Sequence, residues 1–239
     1  LIIMKNLKNW DKNNWLSSKK YITNFHNYLR SEIKFNQNLK ILDIGCGRAN
    51  IISFLQAKYR FIAKPIGLDI IKHNETKKNI TFFKKNAIKF LKDSNLNFDL
   101  VLIKQTIHFF KIKEIKELLR LSKSVLSKNG KIILLTLETK NNQIPCFKKM
   151  KIKLKKSLDR DKKIENLIKK SFIKYKLKKF QFMVSIRKNI YIRMIKQRYI
   201  SCLLGMSKKE IQEGILEINS KYRNKIFFKD ILSGYIYKN

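Results

Sequence analysis

Residues 41–50 of the 239-residue chain read Ile-Leu-Asp-Ile-Gly-Cys-Gly-Arg-Ala-Asn. The first four form an apolar run with one acid, Asp43, inside it, and Gly45 and Gly47 follow with a single residue between them. A short apolar run predicts a buried strand, and glycines this close together allow a turn in which the backbone approaches a ligand. Apolar residues at helical spacing come next, over residues 51–58. The stretch therefore predicts a strand, a tight turn and a helix, with a binding site at the turn.

The same alternation continues along the chain. Further short apolar runs follow, and apolar residues at helical spacing lie between them, most clearly from Ile112 to Leu126. Strands that alternate with helices of this length predict a mostly parallel sheet with helices on both faces. Asn129-Gly130 is interpreted as the stop after a helix that ends near Lys128. The apolar runs span Ile66 to Ile70, Ile80 to Phe83, Phe98 to Ile103 and Lys131 to Leu137.

The pattern changes after Glu138. A lysine-rich helical stretch, Cys146 to Lys179, precedes a strand-like run at Phe180 to Ile186. A helix near Ile190 to Leu204, a second helix that opens with Ser207 and Glu210 in capping-box spacing, and a closing strand at Ile231 to Tyr237 complete the prediction. We expect seven strands in one domain over residues 1–239: a helical cover (4–38), a core (39–137), and cap helices with closing strands (138–239). Residues 150–179 are interpreted as an insertion over the sheet edge.

The charge of the chain is strongly positive. Lys and Arg number 55 against 17 Asp and Glu, for a net charge of +38. Such an excess is typical of proteins that bind nucleic acids or anionic membranes. Only 9 of the 55 basic residues are Arg, the usual phosphate reader, and the abundant Lys, Asn and Ile are what A/T-rich codons supply. Compositional bias therefore explains much of the charge without a partner.

The cysteines and the apolar segments limit the classes of protein to which the chain could belong. Cys46, Cys146 and Cys202 are odd in number and widely spaced, which predicts neither a disulfide framework nor a metal site. No segment approaches the roughly 20 apolar residues that span a bilayer. The sequence favours a cytoplasmic protein that does not bind membranes, and it does not indicate the oligomeric state.

Residues 41–50 resemble motif I of the class I S-adenosylmethionine-dependent methyltransferases, in which an acid and a Gly-x-Gly-x-Gly turn follow apolar residues. Ala49 replaces the third glycine of that pattern, and the competing nicotinamide dinucleotide fingerprint requires glycine where Asn50 stands. The resemblance implies a Rossmann-like α/β fold and S-adenosylmethionine as cofactor. It also implies that Gly45, Cys46 and Gly47 line the cofactor site and that Asp43 anchors the turn and faces the cofactor's ammonium group.

Two more segments match the family's order. Asp69, in Gly67-Leu68-Asp69-Ile70, lies where the family has a carboxylate that accepts hydrogen bonds from the ribose hydroxyls; a helix N-cap is the alternative. Asn86-Ala87 lies where an acid and a small residue usually contact the adenine amine. Asn86 is also a candidate N-cap for a helix over residues 87–92. The resemblance thus adds Asp69, Ile70, Asn86 and Ala87 to the cofactor site.

The segment after the fourth strand is similar to the family's fourth motif. It implies that Lys104 and Gln105 line the methionine part of the cofactor, and Gln105 is also able to hydrogen-bond an acceptor. His108 is a candidate general base or acceptor-orienting group. The alternative for His108 is an imidazole packed in the turn against Phe109. Gln105 and His108 are our candidate catalytic residues.

The candidate acceptor residues lie at the two ends of the sequence. Trp10, Trp15 and Tyr21 are candidates for an aromatic lid over the sulfonium, or else for the apolar face of a cover helix. Tyr199 and Ser201 resemble a segment that closes the acceptor pocket in small-molecule members of the superfamily, but they are equally plain helix residues. Trp15, Tyr21, Tyr199 and Ser201 are our candidate substrate-binding residues.

Three functions are compatible with these motifs. The first is methylation of a small molecule at oxygen, nitrogen or sulfur, with thiols and carboxylates both compatible. The second is a nucleic-acid methyltransferase that uses residues 148–156 and 169–179 as a phosphate platform. Amino-methylating enzymes of that class have the motif Asn/Asp-Pro-Pro-aromatic after the fourth strand, but this chain has Lys104-Gln105-Thr106-Ile107 there. Methylation of a small molecule is therefore favoured over methylation of a nucleic acid. The third is a cofactor-binding subunit without catalytic activity.

Overall fold

The computed structural model describes residues 14–239. Its centre is a seven-stranded sheet in the order β3-β2-β1-β4-β5-β7-β6. Strands β1 to β5 run parallel to one another, whereas β7 is antiparallel to both β5 and β6. This confirms the predicted mostly parallel sheet. The strands are β1 (Ile41–Ile44), β2 (Ile66–Asp69), β3 (Thr81–Lys84), β4 (Phe98–Lys104), β5 (Leu126–Leu137), β6 (Tyr175–Arg187) and β7 (Lys225–Lys238).

Helices cover both faces of the sheet. Successive side chains of a buried strand point to opposite faces, so Leu100 and Leu102 belong to one hydrophobic cluster and Val101 and Ile103 to the other. Both clusters are apolar, which explains why β4 reads as an unbroken hydrophobic run. The helices are α1 (Lys19–Arg30), α2 (Asn50–Tyr59), α3 (Ala87–Lys92), α4 (Ile112–Ser124), α5 (Lys148–Ser171), α6 (Lys188–Lys196) and α7 (Lys208–Lys221).

The predicted helix stop at Asn129-Gly130 is wrong. Helix α4 ends at Ser124, and Leu126 already pairs with Phe98 as the first residue of β5. The register between β4 and β5 shifts between Phe98 and Leu100, and Asn129 adopts the left-handed region at φ 67°. Asn tolerates this conformation better than most residues. The pair therefore forms an irregularity inside a strand instead of a break between elements.

The other boundaries differ by smaller amounts. Strand β6 begins at Tyr175 instead of Phe180, so the lysine-rich helix α5 ends earlier than predicted, at Ser171. The predicted helix over residues 190–204 is α6 followed by a short 3-10 turn at Ser201–Leu203. The capping box is confirmed, because the Glu210 backbone N–H donates to Ser207 Oγ (3.1 Å) and the Ser207 N–H donates to Glu210 Oε2 (2.7 Å).

The predicted cover is a 3-10 turn, Trp15–Ser17, followed by α1, which packs against β6 through the rings of Tyr21 and Phe25. Trp10 lies outside the described residues. Within residues 14–239, no helix combines the length and the apolar character that crossing a membrane requires.

Candidate active site

A cavity of about 370 Å³ opens at the carboxyl ends of the parallel strands. Open parallel sheets bind ligands at this edge, and the volume lies within the usual range for a small-molecule site. We call it the first cavity. All nine residues that the sequence assigned to the cofactor line it: Asp43, Gly45, Cys46, Gly47, Asp69, Ile70, Asn86, Ala87 and Lys104.

The turn after β1 forms the floor of the first cavity. Gly45 and Gly47 have φ values of +74° and +55°, which side chains rarely adopt. A Cβ on Gly45 would lie 2.1 Å from Thr106 Oγ1, so the absence of a side chain there lets β1 and the β4 loop meet. A Cβ on Gly47 would have no atom within 4 Å, so that glycine faces open space. Backbone N–H groups of Gly45 and Cys46 both donate to Leu68 O, which ties the turn to β2.

Asp69 connects the turn to the end of β2. Its Oδ2 accepts from the Gly47 N–H and its Oδ1 accepts from the Ile71 N–H, each at 2.9 Å. Each carboxylate oxygen has a second lone-pair site, so these bonds leave acceptor capacity toward the cavity. The side chain therefore braces the glycine turn and stays able to accept from a ligand hydroxyl.

Asp43 is a buried acid at the base of the first cavity. Desolvation raises its pKa to about 7; the nearby Lys104 ammonium works in the opposite direction, and Asp69 adds to the rise. Lys104 Nζ lies 5.1 Å from the ring centroid of Tyr21 and 5.6 Å from that of Phe25. The Asp43 carboxyl group therefore gains or loses its negative charge near neutral pH, at a position where that charge would attract a bound cation.

Asn86 forms the N-cap of α3. Its Oδ1 accepts from the backbone N–H groups of Ile88 (2.9 Å) and Lys89 (3.2 Å). The capping interpretation of Asn86 is thus confirmed, and both acceptor sites of the amide oxygen are used by the helix. Ala87 follows as the first helical residue, so a cofactor contact at this wall would come from its small side chain and from the neighbouring backbone.

The chain turns sharply after β4. Gln105 adopts φ 51°, and its N–H still donates to Leu135 O (2.8 Å) on β5. A left-handed glutamine at a strand end is a strained conformation of the kind found at binding sites. From α5, the Arg160 guanidinium donates to the carbonyl oxygens of His108 (2.5 Å) and Phe110 (2.9 Å), which holds the loop in place.

A second cavity, of about 90 Å³, adjoins the first. Leu16, Gln105 and Phe109 line both, so a molecule in one lies beside a molecule in the other. Of the predicted residues, His108, Trp15, Tyr199 and Ser201 line the second cavity and Gln105 lines both. Tyr21 lines neither, because it is fully buried against Phe180 and Phe182. The remaining residues of the second cavity are Leu137, Ile144, Leu154, Ser157, Asp161, Ile200 and Asp230.

His108 lines the second cavity, but its imidazole is a weak base. Its pKa is lowered to about 4 by desolvation and then by the positive charge of Arg160. Its ring lies 4.1 Å from that of Phe109, centroid to centroid, in agreement with the packed alternative. The imidazole is therefore neutral at physiological pH.

The sequence did not indicate two carboxyl groups of the second cavity. Asp161 lies on α5, one turn beyond Ser157, and Asp230 lies on β7 and accepts from Trp15 Nε1 (2.9 Å). Both are at least nine-tenths buried. A usable signal existed, since Asp161 occupies the apolar stripe that Leu154 and Leu158 begin on α5. Asp230 likewise continues the inward-facing positions 226 and 228 of β7.

The first cavity suits S-adenosylmethionine. Carboxyl groups at Asp43 and Asp69 offer partners for a cation and for hydroxyls, and the free space beside Gly47 lets the backbone meet a ligand closely. The methionine part of the cofactor would be held by Asp43, Lys104 and Gln105. Its adenosine part would be held by Asp69, Ile70 and Ala87.

The comparisons with known proteins agree with this site. A family described as a methyltransferase domain matches residues 35–183. No protein of curated function matches the sequence. Among solved structures, the chain is similar to a putative methyltransferase from an antibiotic biosynthesis pathway of Anabaena variabilis (17% identity, 91% of this chain and 97% of that one, TM-score 0.61).

Two further structures have bound ligands. The plantazolicin methyltransferase BamL, in complex with a triazolic desmethylPZN analogue and S-adenosylhomocysteine, is 14% identical over 100% of this chain and 90% of its own (TM-score 0.56). The phosphoethanolamine N-methyltransferase 2 of Haemonchus contortus, in complex with phosphomonomethylethanolamine and S-adenosylhomocysteine, is 15% identical over 91% of this chain and 52% of its own (TM-score 0.52). At these identities the likeness concerns the fold.

Proposed function

Because the chain belongs to the methyltransferase-domain family, and so to the class I S-adenosylmethionine-dependent methyltransferases, we propose that it methylates a small-molecule acceptor held in the second cavity. The observation that carries the proposal is the junction of the two cavities at Leu16, Gln105 and Phe109. An acceptor in the second cavity would therefore lie next to the cofactor's site.

The cofactor supplies an electrophilic methyl group bound to a positively charged sulfur. Transfer to a nucleophile is an in-line displacement, so the protein has mainly to align the acceptor and to exclude water. The Arg160 contacts to the carbonyl oxygens of His108 and Phe110 hold the loop that separates the cavities. Trp15 and Tyr199 line the second cavity with ring centroids 5.6 Å apart in an edge-to-face arrangement, which gives an acceptor an aromatic wall.

The size and walls of the second cavity favour a small acceptor. Its lining comes from the cover, α5, the 3-10 turn at residues 201–203 and β7, with largely apolar side chains. The acceptors in the plantazolicin and phosphoethanolamine methyltransferase complexes are small molecules as well. A polynucleotide would have to reach a site that these elements cover.

The nucleic-acid alternative rests on the lysines of α5 and β6. Lys155 and Lys156 lie on the exposed side of α5, and no lysine of α5 lines either cavity among the described residues. Lys149 pairs with Glu213 on α7 (3.1 Å) instead of pointing at the active site. A solvated helix face is the simpler explanation of these charges.

A matched pair of α5 variants tests the proposal. Ser157 lines the second cavity, whereas its neighbour Lys156 is exposed. Ser157→Trp fills the cavity, so we expect unchanged affinity for S-adenosylhomocysteine but a loss of methyl transfer of about 100-fold or more. Lys156→Trp adds the same bulk to the surface and should retain activity.

The assay incubates the protein and labelled S-adenosylmethionine with a library of small amines, thiols, carboxylates and alcohols, and separately with total RNA. Label in a small molecule, lost in Ser157→Trp and kept in Lys156→Trp, would support the proposal. Label in RNA that both variants transfer equally would overturn it.

A further inference from the structure

The charged groups of the second cavity have one sign. Lys and Arg outnumber Asp and Glu by 55 to 17 in the chain, yet among residues 14–239 the cavity is lined by Asp161 and Asp230 and by no Lys or Arg. The Arg160 side chain points at the carbonyl oxygens of the β4 loop instead. His108 adds no positive charge, because its pKa is lowered to about 4 by desolvation. Among the described residues, the charged side chains that line the cavity are therefore acidic, although the protein as a whole is basic.

Asp161 has a buried oxygen without a partner. Only 8% of the residue is exposed, and its Oδ1 makes no hydrogen bond within the described part of the chain. A buried carboxyl oxygen in this state is costly, and buried charges are normally paired. Desolvation raises its pKa to about 6, the Arg160 charge opposes the rise and the Glu165 charge adds to it, so the group is ionised at physiological pH. Nothing in the packing of α5 requires an acid at this position of its apolar stripe.

Asp230 differs from Asp161 in having one partner. Its Oδ2 accepts from Trp15 Nε1, an uncharged donor. Desolvation raises the pKa of Asp230, and this hydrogen bond and the Lys104 charge oppose the rise. Both carboxyl groups line the same small cavity, along with the rings of Trp15 and Tyr199. Carboxylates beside aromatic rings form a site suited to an organic cation that carries N–H donors.

From this arrangement, and resting on the small-molecule function proposed above, we infer that the acceptor presents an amino group, which Asp161 and Asp230 bind in its protonated form. The Asp161 carboxylate, which lines the cavity, accepts an N–H hydrogen bond from that group, and Trp15 and Tyr199 pack against its apolar body. An acceptor that presents a carboxylate is excluded by the same charges. This narrows the acceptor to small molecules that carry an amine. A protonated amine has no lone pair, so it anchors the acceptor, and the methyl group goes to another nucleophilic atom of the same molecule.

The test uses the full chain saturated with S-adenosylhomocysteine and an NMR-detected titration. The probes are matched sets of one skeleton, such as benzylamine, benzyl alcohol and benzoate, together with the corresponding butyl and phenethyl sets. We expect the amine of a set to bind at least about tenfold more tightly than its alcohol, and the carboxylate to be rejected. Ser157→Trp should abolish amine binding, which assigns it to the second cavity.

Asp161→Asn identifies the residue, and Asp159→Asn is its control on the same helix, because Asp159 is exposed and pairs with Lys162 (2.9 Å). We expect Asp161→Asn to weaken amine binding at least about tenfold without lowering the melting temperature, since it removes an unpaired buried charge. Asp159→Asn should leave amine binding unchanged. A residue kept only for structure would instead lower the melting temperature and leave amine binding intact.

Three results would overturn the inference: an alcohol or carboxylate that binds as tightly as its amine, an amine affinity unaffected by Asp161→Asn, or no amine binding at all. If alcohols or acids bind the wild-type protein and Ser157→Trp abolishes that binding, the amine inference fails but the proposed methylation of a small molecule is still supported. Transfer of the labelled methyl group to RNA, equally by both variants of the methyl-transfer assay, would contradict both the amine inference and the proposed small-molecule function.

Discussion

The two cavities are built in different ways. The first is lined by residues that immediately follow β1, β2, β3 and β4, so each wall is a strand end and the turn after it. The second is lined by side chains from the cover, the β4 loop, α5, the 3-10 turn near residue 201 and β7. Backbone turns dominate the first cavity and side chains from distant segments dominate the second. A motif read along the chain can therefore describe the first cavity, but the second exists only once the chain has folded.

The largest effect is expected where the first cavity depends on backbone. Gly45→Ala places a Cβ at 2.1 Å from Thr106 Oγ1 at a φ of +74°. We expect the free energy of unfolding to fall by about 3 kcal/mol and the affinity for S-adenosylhomocysteine to fall about 100-fold or more. Gly47→Ala is the control: its φ is +55° with nothing within 4 Å, so only about 1 kcal/mol is lost. Urea unfolding and calorimetry measure both; equal losses would show that the contact with Thr106 is unimportant.

A smaller effect is expected from the buried acid of the first cavity. The pKa of Asp43 is raised to about 7, so its carboxyl group is charged above that pH and neutral below it. If Asp43 faces the cofactor's ammonium group, the affinity for S-adenosylhomocysteine is full above pH 7 and falls by up to about tenfold per pH unit below it. Asp43→Asn should remove this dependence. Calorimetry from about pH 5 to about pH 8 checks it; a flat wild-type profile would remove Asp43 from the ammonium site.

The smallest effect is expected at His108, which lines the second cavity beside Phe109. Its pKa, lowered to about 4 by desolvation, makes it a poor base near neutral pH. We expect His108→Asn to lower kcat by less than about fivefold, well below the 100-fold or more typical of a lost general base, with an unchanged pH profile between about pH 5 and about pH 8. Steady-state kinetics measures both. A large fall in kcat together with a lost pH limb would establish proton transfer by His108.

The contrast between the cavities explains what the sequence could reveal. Strand spacing predicted the parallel sheet, because a strand buried on both faces reads as an apolar run. The order of the motifs located the residues of the first cavity, because each follows its strand directly. Asn129-Gly130 misled the interpretation: the same dipeptide stops a helix or forms a strand irregularity, and only pairing with β4 decides between them.

The second cavity was predicted in part. Trp15, Tyr199 and Ser201, three of the candidate substrate-binding residues, line it, and their binding role stays a prediction. Tyr21 is a core residue, because α1 turns that side chain into β6 and away from the cavities. Asp161 escaped notice because a lysine-rich helix hides one acid among many charges. The spacing of the apolar residues Leu154, Leu158 and Ile164 marks the side of α5 that faces inward, and Asp161 lies on that side.

The position of β7 has a consequence for assembly. This strand is the latest of the seven in chain order, yet it lies between β5 and β6 and hydrogen-bonds to both. Strand β6 thus has no neighbour in the sheet until β7 has been made, whereas β1 to β5 can pair as soon as residue 137 has been synthesised. The chain can therefore acquire its nucleotide-binding half first, and the wall that carries Asp230 is the last piece to be added. In a nascent chain, the strand ends that line the first cavity can therefore form before β7 completes the wall of the second cavity.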